Sequence, residues 1–348
     1  MKFLIPLGPT LPDGAATARI GADPAAQDGR LAPVSSASFH FLPDRARVGI
    51  ISNPRSRRNQ AASLPRRVGP GISGAAPTNA DELRETLRHF ADQRIELLVI
   101  DGGDGTVRDV LSAAAPFFGD ELPAIALSPS GKTNALALDL GVPLGWGIDD
   151  AIAAWGRGNI GHRAPIEIER PGGSRLFGFI FGAGAFVRAT ALAQRTHRWG
   201  AIDGLAVGLS LAGALGQTFF GGRDNPWRKG DHVTIVNTRS GVTVARDFYI
   251  LFGSTLQRLP LGLRVLGRPG PGLNVLAVDA PPRNLPLSAL GILAGREGGR
   301  LAQDGVHHGH DIPPTELTLD HGFILDGEHF AGGTVTVRAG RAIRFVMP

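Results

Sequence analysis

Hydrophobic and polar positions change their rhythm near residue 146. Before it, short apolar runs alternate with stretches at helical spacing. Val48-Gly49-Ile50-Ile51, Ile95-Glu96-Leu97-Leu98-Val99-Ile100 and Ala124-Ile125-Ala126-Leu127 read as buried strands. Between the first two, Thr78 or Asn79 caps a helix with Leu83, Leu87 and Phe90 on one face. After the second, Val107, Val110, Leu111 and Ala114 fall at helical spacing, and after the third a short helix is stopped by Gly141 and Pro143. Strands alternating with helices in this way predict a Rossmann-like, doubly wound parallel α/β sheet, with ligands at the C-terminal ends of its strands.

Beyond residue 146 the alternation has period two, as in Pro165–Glu169, Val233–Ile235, Glu316–Leu319 and Val335–Arg338, with turn signals such as Ser240-Gly241 between them. This half reads as mainly antiparallel β with helical insertions near 185–218 and 286–296. The first 44 residues are rich in Ala, Pro, Gly and Asp without periodicity, and are expected to form a loose extension. The expected organisation is therefore an extension over 1–44, an α/β domain over 45–145 and a β domain over 146–338.

Composition narrows the chemistry. At 348 residues the chain is long enough for two cored domains, and without cysteine it has no disulfides, thiol catalysis or cysteine-zinc sites, which fits a reducing cytoplasm. The formal charge of +5 rests almost wholly on arginine, the only lysines being Lys2, Lys132 and Lys229. No arginine run favours nucleic acid; Arg55, Arg57, Arg58, Arg66 and Arg67 could instead meet phosphate or anionic headgroups. The longest apolar stretch, Leu205 to Phe220, is broken by glycine and polar residues and falls short of a membrane span. The expectation is a cytoplasmic protein with peripheral contact to an anionic membrane surface. The tract His307-His308-Gly309-His310-Asp311 reads as a loop rather than a metal site.

The most informative residues are Gly102-Gly103-Asp104-Gly105-Thr106, between the second strand and its helix. Glycines admit close approach of an oxyanion, and unpaired helix N–H groups point at it. A carboxylate inside such a loop, Asp104, makes sense with a metal ion between it and phosphate, which suggests a nucleoside triphosphate with magnesium.

Three further motifs follow in order: Asn53-Pro54-Arg55-Ser56, Pro129-Ser130-Gly131-Lys132-Thr133-Asn134-Ala135, and Asp326-Gly327-Glu328. Together the four resemble the diacylglycerol kinase catalytic family, which includes bacterial lipid kinases, sphingosine kinases and ceramide kinases. The resemblance covers roughly residues 47–348. It implies that the second domain is an antiparallel β-sandwich, that a last strand within 339–348 returns to the α/β domain, and that ATP and Mg2+ lie in the cleft between the two. The implied reaction is phosphorylation of a lipid hydroxyl on diacylglycerol, a sphingoid base or ceramide. The resemblance assigns Glu328 as proton acceptor for the lipid hydroxyl, with Asp326 beside it orienting metal or phosphate. Gly102, Gly103, Asp104, Gly105 and Thr106 would hold nucleotide phosphates, with Asp104 near the metal. Asn53, Thr78, Gly131, Lys132, Thr133 and Asn134 would complete the nucleotide site.

The third loop departs from the family pattern. Lys132 stands where the family has Thr, and Ala135 where it has Asp. An ammonium there would act as a point charge on phosphate, replacing the hydroxyl. An NAD kinase shares the Gly-Gly-Asp-Gly-Thr loop, but uses an Asn-Glu pair that this chain lacks. A decayed kinase that only binds lipid or nucleotide is the other alternative.

Overall fold

The computed structural model describes residues 47–56, 71–119, 121–185, 187 and 230–348. The first 44 residues, Arg57, Arg58, Arg66 and Arg67, the insertion over 185–218 save for its first residues, and the stretch Leu205 to Phe220 lie outside them.

The first layer is a six-stranded sheet. Four strands, β1 (Val48–Ser52), β2 (Ile72–Ala75), β3 (Leu97–Gly102) and β4 (Ala124–Pro129), run parallel in the order β2-β1-β3-β4. β1, β3 and β4 are buried throughout, which explains their unbroken apolar runs. Helices cover both faces: α1 (Ala80–Asp92) and α2 (Asp104–Phe118) share one apolar cluster, while α4 (Ile148–Gly156) packs in the cluster on the other face. Asn79, not Thr78, caps α1, its side chain accepting from Asp81 and Glu82 amides. β2 has no periodic signal, since Ile72-Ser73-Gly74-Ala75 is a half-exposed edge.

The chain end returns as expected. β17 (Ile343–Val346) runs parallel to β4, and β5 (Ile160–Arg163) pairs antiparallel with β17 at the sheet edge. Here the observed organisation differs from the boundary expected at 146. Both α4 and β5 belong to the first layer, so the change of layer follows Arg163. The reason is edge satisfaction: β17 exposes a ladder of backbone groups that β5 fills.

The second body is an antiparallel sheet of eleven strands: β6 (Ile166–Glu169), β7 (Arg175–Gly178), β8 (Ile180–Gly184), β9 (Asp231–Asn237), β10 (Thr243–Ser254), β11 (Asn274–Asp279), β12 (Val306–Gly309), β13 (Thr315–Leu319), β14 (Phe323–Leu325), β15 (Glu328–Phe330) and β16 (Gly333–Ala339). The twelve-residue β10 joins its two parts. Thr243–Phe248 pairs with β9, whose neighbours are β13, β16, β6 and β7 in turn; Ile250–Ser254 pairs with β8 and β11. Ile168, Val335, Leu317 and Val233 from one part meet Phe181, Phe323, Leu325 and Leu251 from the other in a single core. That shared core makes it a sandwich. α5 (Leu285–Leu293) and α6 (Gly299–Gln303) lie outside β11 and β12.

The two bodies are joined by buried chemistry. Phe179 and Leu256 belong to the apolar cluster of the first layer, and Phe179 meets Phe345 of β17 edge-on at 6.2 Å. Asp139, in the short helix α3 (Ala135–Asp139), is fully enclosed. It pairs with Arg163 at 2.6 Å and accepts the amides of Gln257 at 2.9 Å and Arg258 at 2.7 Å.

Candidate active site

The loops after β1, β3 and β4 lie side by side because their strands are parallel neighbours. The glycines at the join are there for packing. A methyl group on Gly103 would lie 2.9 Å from Gly131 Cα, and one on Gly131 only 2.5 Å from Gly103 Cα. The second and third loops therefore touch backbone to backbone, and neither position admits a side chain. Gly105 is different: a Cβ there meets nothing closer than 3.8 Å, so the first turn of α2 is open on that side. Gly103, as N-cap, supplies no side-chain acceptor to that first turn, which leaves its N–H groups for an anion.

Asp104 is held by the backbone of a neighbouring element. Its carboxylate accepts the amides of Ala135 at 2.9 Å and Leu136 at 3.1 Å, capping α3 from another element. Burial pushes its pKa up, against the pull of these amides. Asn134 takes a left-handed backbone (φ 51°) and clasps its own loop, accepting from Gly131 N at 3.0 Å and donating to Gly131 O at 3.1 Å. Its side chain is engaged inside the loop, so its place in the site is to shape Gly131-Lys132-Thr133. Lys132 and Thr133 are exposed at the loop tip.

Asn53 links the first and second loops. Its Nδ2 donates to Thr106 Oγ1 at 2.8 Å, and its Oδ1 accepts Arg55 N at 2.9 Å. Thr78 donates its hydroxyl and its amide to Glu82, at 2.9 and 2.7 Å. Asn53, Thr78 and Thr106 line one cavity of about 550 Å³, whose far wall is Ser174, Arg175, Leu176 and Phe330 of the sandwich. The hydroxyls of Ser56 and Ser130, one in the first motif and one in the third, are buried with no hydrogen-bond partner. A buried hydroxyl without a partner costs about 1–3 kcal/mol, so both fit a ligand-binding pair of loops.

Asp326 sits at the turn between β14 and β15 with φ 46°. Its carboxylate accepts Phe179 N at 3.0 Å and Ile180 N at 2.9 Å. Burial raises its pKa to about 7; the two amides lower it, the charge of Asp104 raises it further, and Arg108 lowers it. Asp104 and Asp326 thus feel one another across the two bodies. Among the described residues no cluster of three or more His, Asp or Glu could hold a metal. Glu328 is exposed on β15, opposite Leu325.

Sequence reasoning missed Arg108. Almost wholly buried, it donates to Leu325 O at 3.2 Å and to Asp109 at 2.7 Å, and lies 5.7 Å over the Phe330 ring. Its place among the helix's core positions was the available signal. The histidine tract is resolved as a strand and its turn, each ring with a protein partner: His307 to Asp279, His308 to Val265 O, and His310 to Asn274 and Glu297.

Comparison with known proteins bears on this geometry. Residues 47–164 match the family model described as the diacylglycerol kinase catalytic domain. A diacylglycerol kinase of Bacillus subtilis is 30% identical over 151 residues, covering 41% of this chain; the match spans about half, 48%, of that relative's length. A solved diacylglycerol kinase from Bacillus anthracis superposes with a TM-score of 0.56 at 16% identity, over 87% of this chain and 97% of that one. At that identity the superposition speaks for the fold, and it spans both bodies. Over residues 47–164, then, this chain is similar to the diacylglycerol kinase catalytic domain.

Proposed function

We propose that this protein is an ATP-dependent lipid kinase, transferring the γ-phosphate of ATP to a lipid hydroxyl. The observation that carries the reading is the common cavity: Asn53, Thr78 and Thr106, from three loops of the first sheet, face Arg175 and Phe330 of the sandwich across it. The volume suits a nucleotide, and the uncapped start of α2 suits its phosphates. Diacylglycerol, a sphingoid base and ceramide are the acceptor classes under consideration, each offering one alcohol.

Glu328, exposed beside this turn, would accept the hydroxyl proton late in a loose transition state, where positioning and charge neutralisation supply most of the rate. Asp326 holds the turn through the amides of Phe179 and Ile180 and keeps Glu328 in place. Lys132, at the exposed tip of the third loop, would set a point charge on the β- or γ-phosphate.

Magnesium fits Asp104 and Asp326. Two enclosed carboxylates, one raising the charge cost of the other, lose that cost when a cation joins them, and each keeps lone pairs beyond the amides it accepts. Magnesium is commonly held by one or two carboxylates with phosphate oxygens and water completing the shell, so a third carboxylate is not needed. When bound, it would neutralise phosphate charge.

Incubation with labelled ATP and a panel of these lipids tests the reading. Labelled lipid is expected, with Glu328→Gln lowering turnover by about 10²-fold or more while ATP still binds. ATP binding without labelled product under any condition would favour a decayed, binding-only protein. Full activity in Glu328→Gln would remove the proton-acceptor assignment.

A further inference from the structure

The outer side of the sandwich carries an apolar surface that the nucleotide cleft does not use. α5 reads Leu285-Pro286-Leu287-Ser288-Ala289-Leu290-Gly291-Ile292-Leu293, apolar nearly all round. A helix of that kind is ordinarily buried. Here Ser288 is covered and Leu285 and Ile292 pack inward, while Leu287, Leu290 and Leu293 are 61%, 66% and 51% exposed. Three-residue spacing places these leucines along one side of the helix.

A second segment extends the surface. The turn Pro260–Gly262 presents Leu261, 95% exposed on a left-handed backbone (φ 59°), followed by exposed Leu263. A residue with a Cβ is strained in that conformation, and here no burial offsets it. The two segments adjoin: a methyl on Gly295, just past α5, would lie 3.0 Å from Arg264 Cβ, and Glu297 accepts Arg268 N at 2.6 Å. Leu259 and Val265 pack in the same cluster as Leu285 and Ile292.

Charge around the leucines has one sign. Between residues 257 and 304 there are six arginines, Arg258, Arg264, Arg268, Arg283, Arg296 and Arg300, all exposed, against three acids. Each acid is engaged within the protein: Asp279 with Arg246 and His307, Glu297 with His310, and Asp304 with Asn284 and Ser288. Exposed leucines with exposed arginines in the same segments suit an interface in which apolar chains lie beneath anionic headgroups.

We infer that α5 and the Leu261–Arg264 turn form a membrane-docking surface that seats the protein on an anionic lipid bilayer. The surface is anchored to the proposed active site. Gln257 and Arg258, which begin the turn, have their amides held by Asp139, at the end of the helix that Asp104 caps. This differs from the basic loop and the 205–220 stretch that the sequence nominated for lipid contact.

Vesicle flotation of the full chain tests the inference without reference to phosphate transfer, so its failure is separate from failure of the kinase reading. The probes are vesicles of phosphatidylcholine alone and of phosphatidylcholine with phosphatidylglycerol. The wild-type protein is expected to float with the anionic vesicles and to be released by salt. The combined substitution Leu287→Gln, Leu290→Gln and Leu293→Gln, with thermal unfolding as the check on folding, is expected to lower partition about tenfold or more. Arg264→Gln with Arg296→Gln and Arg300→Gln should flatten the salt dependence. No flotation of the wild type, or unchanged flotation of a folded leucine variant, would overturn the inference. So would a variant that loses only self-association in sedimentation velocity, which would make a second copy the occupant.

Discussion

The seat of Asp326 beside the amides of Phe179 and Ile180 sets how it titrates. Its carboxyl, with a pKa of about 7 in the fold against 3.8 unfolded, binds more protons native than unfolded between those values. Stability therefore falls as pH rises from about 4 to about 7 and levels off above, by at most about 4 kcal/mol for a shift of this size. The expected outcome is a declining unfolding free energy by urea titration over that window, with the slope diminished in Asp326→Asn. A wild-type curve rising through the same window would contradict the burial of this group. The type of this residue was legible in the Asp-Gly-Glu motif. Its shifted titration was not, because the enclosing amides of Phe179 and Ile180 come from 146 residues away or more.

Among elements, the five-residue α3 is too short to stand alone and is held at both ends. Asp104 caps its start, and Asp139 at its end joins it to Arg163 and to the turn after β10. Asp139→Ala would leave Arg163 without its carboxylate and two amides without their acceptor. The expected cost is about 3–5 kcal/mol, read as a lowered midpoint in urea. A loss under 1 kcal/mol would show that water replaces the carboxylate. The strands and helices around it were legible where burial was one-sided or complete: β1, β3 and β4 as apolar runs, and α1 from Leu83, Leu87 and Phe90. β2 was not, since an edge strand of Ile-Ser-Gly-Ala has neither period. The role of Asn134 was equally hidden, because a hydrogen bond to the same loop leaves no mark in spacing.

For the whole molecule, the seam between the sheets decides behaviour. Phe179 and Leu256 of the sandwich half belong to the α/β core, and Arg108 of α2 reaches Leu325 O. Bodies that share buried apolar surface unfold together. Calorimetry is expected to give one transition for residues 42–348, and two resolved transitions would mean the seam contributes little. Among the described residues no helix is long and apolar enough to cross a membrane.

The sequence by itself determined most of the elements and the residue types of the glycine-rich loops. Strand and helix periods are local consequences of burial, and Gly102–Thr106, Gly131–Asn134 and Asp326–Glu328 carry their residue types openly. Tertiary structure alone decided what those residues touch. It turned Asp104 into the cap of α3, made Gly103 and Gly131 each other's reason for being glycine, moved α4 and β5 into the first layer, and left the leucines of α5 facing outward. Each of these is fixed by a partner distant in sequence, and pairing across such distances depends on packing geometry that no local pattern records.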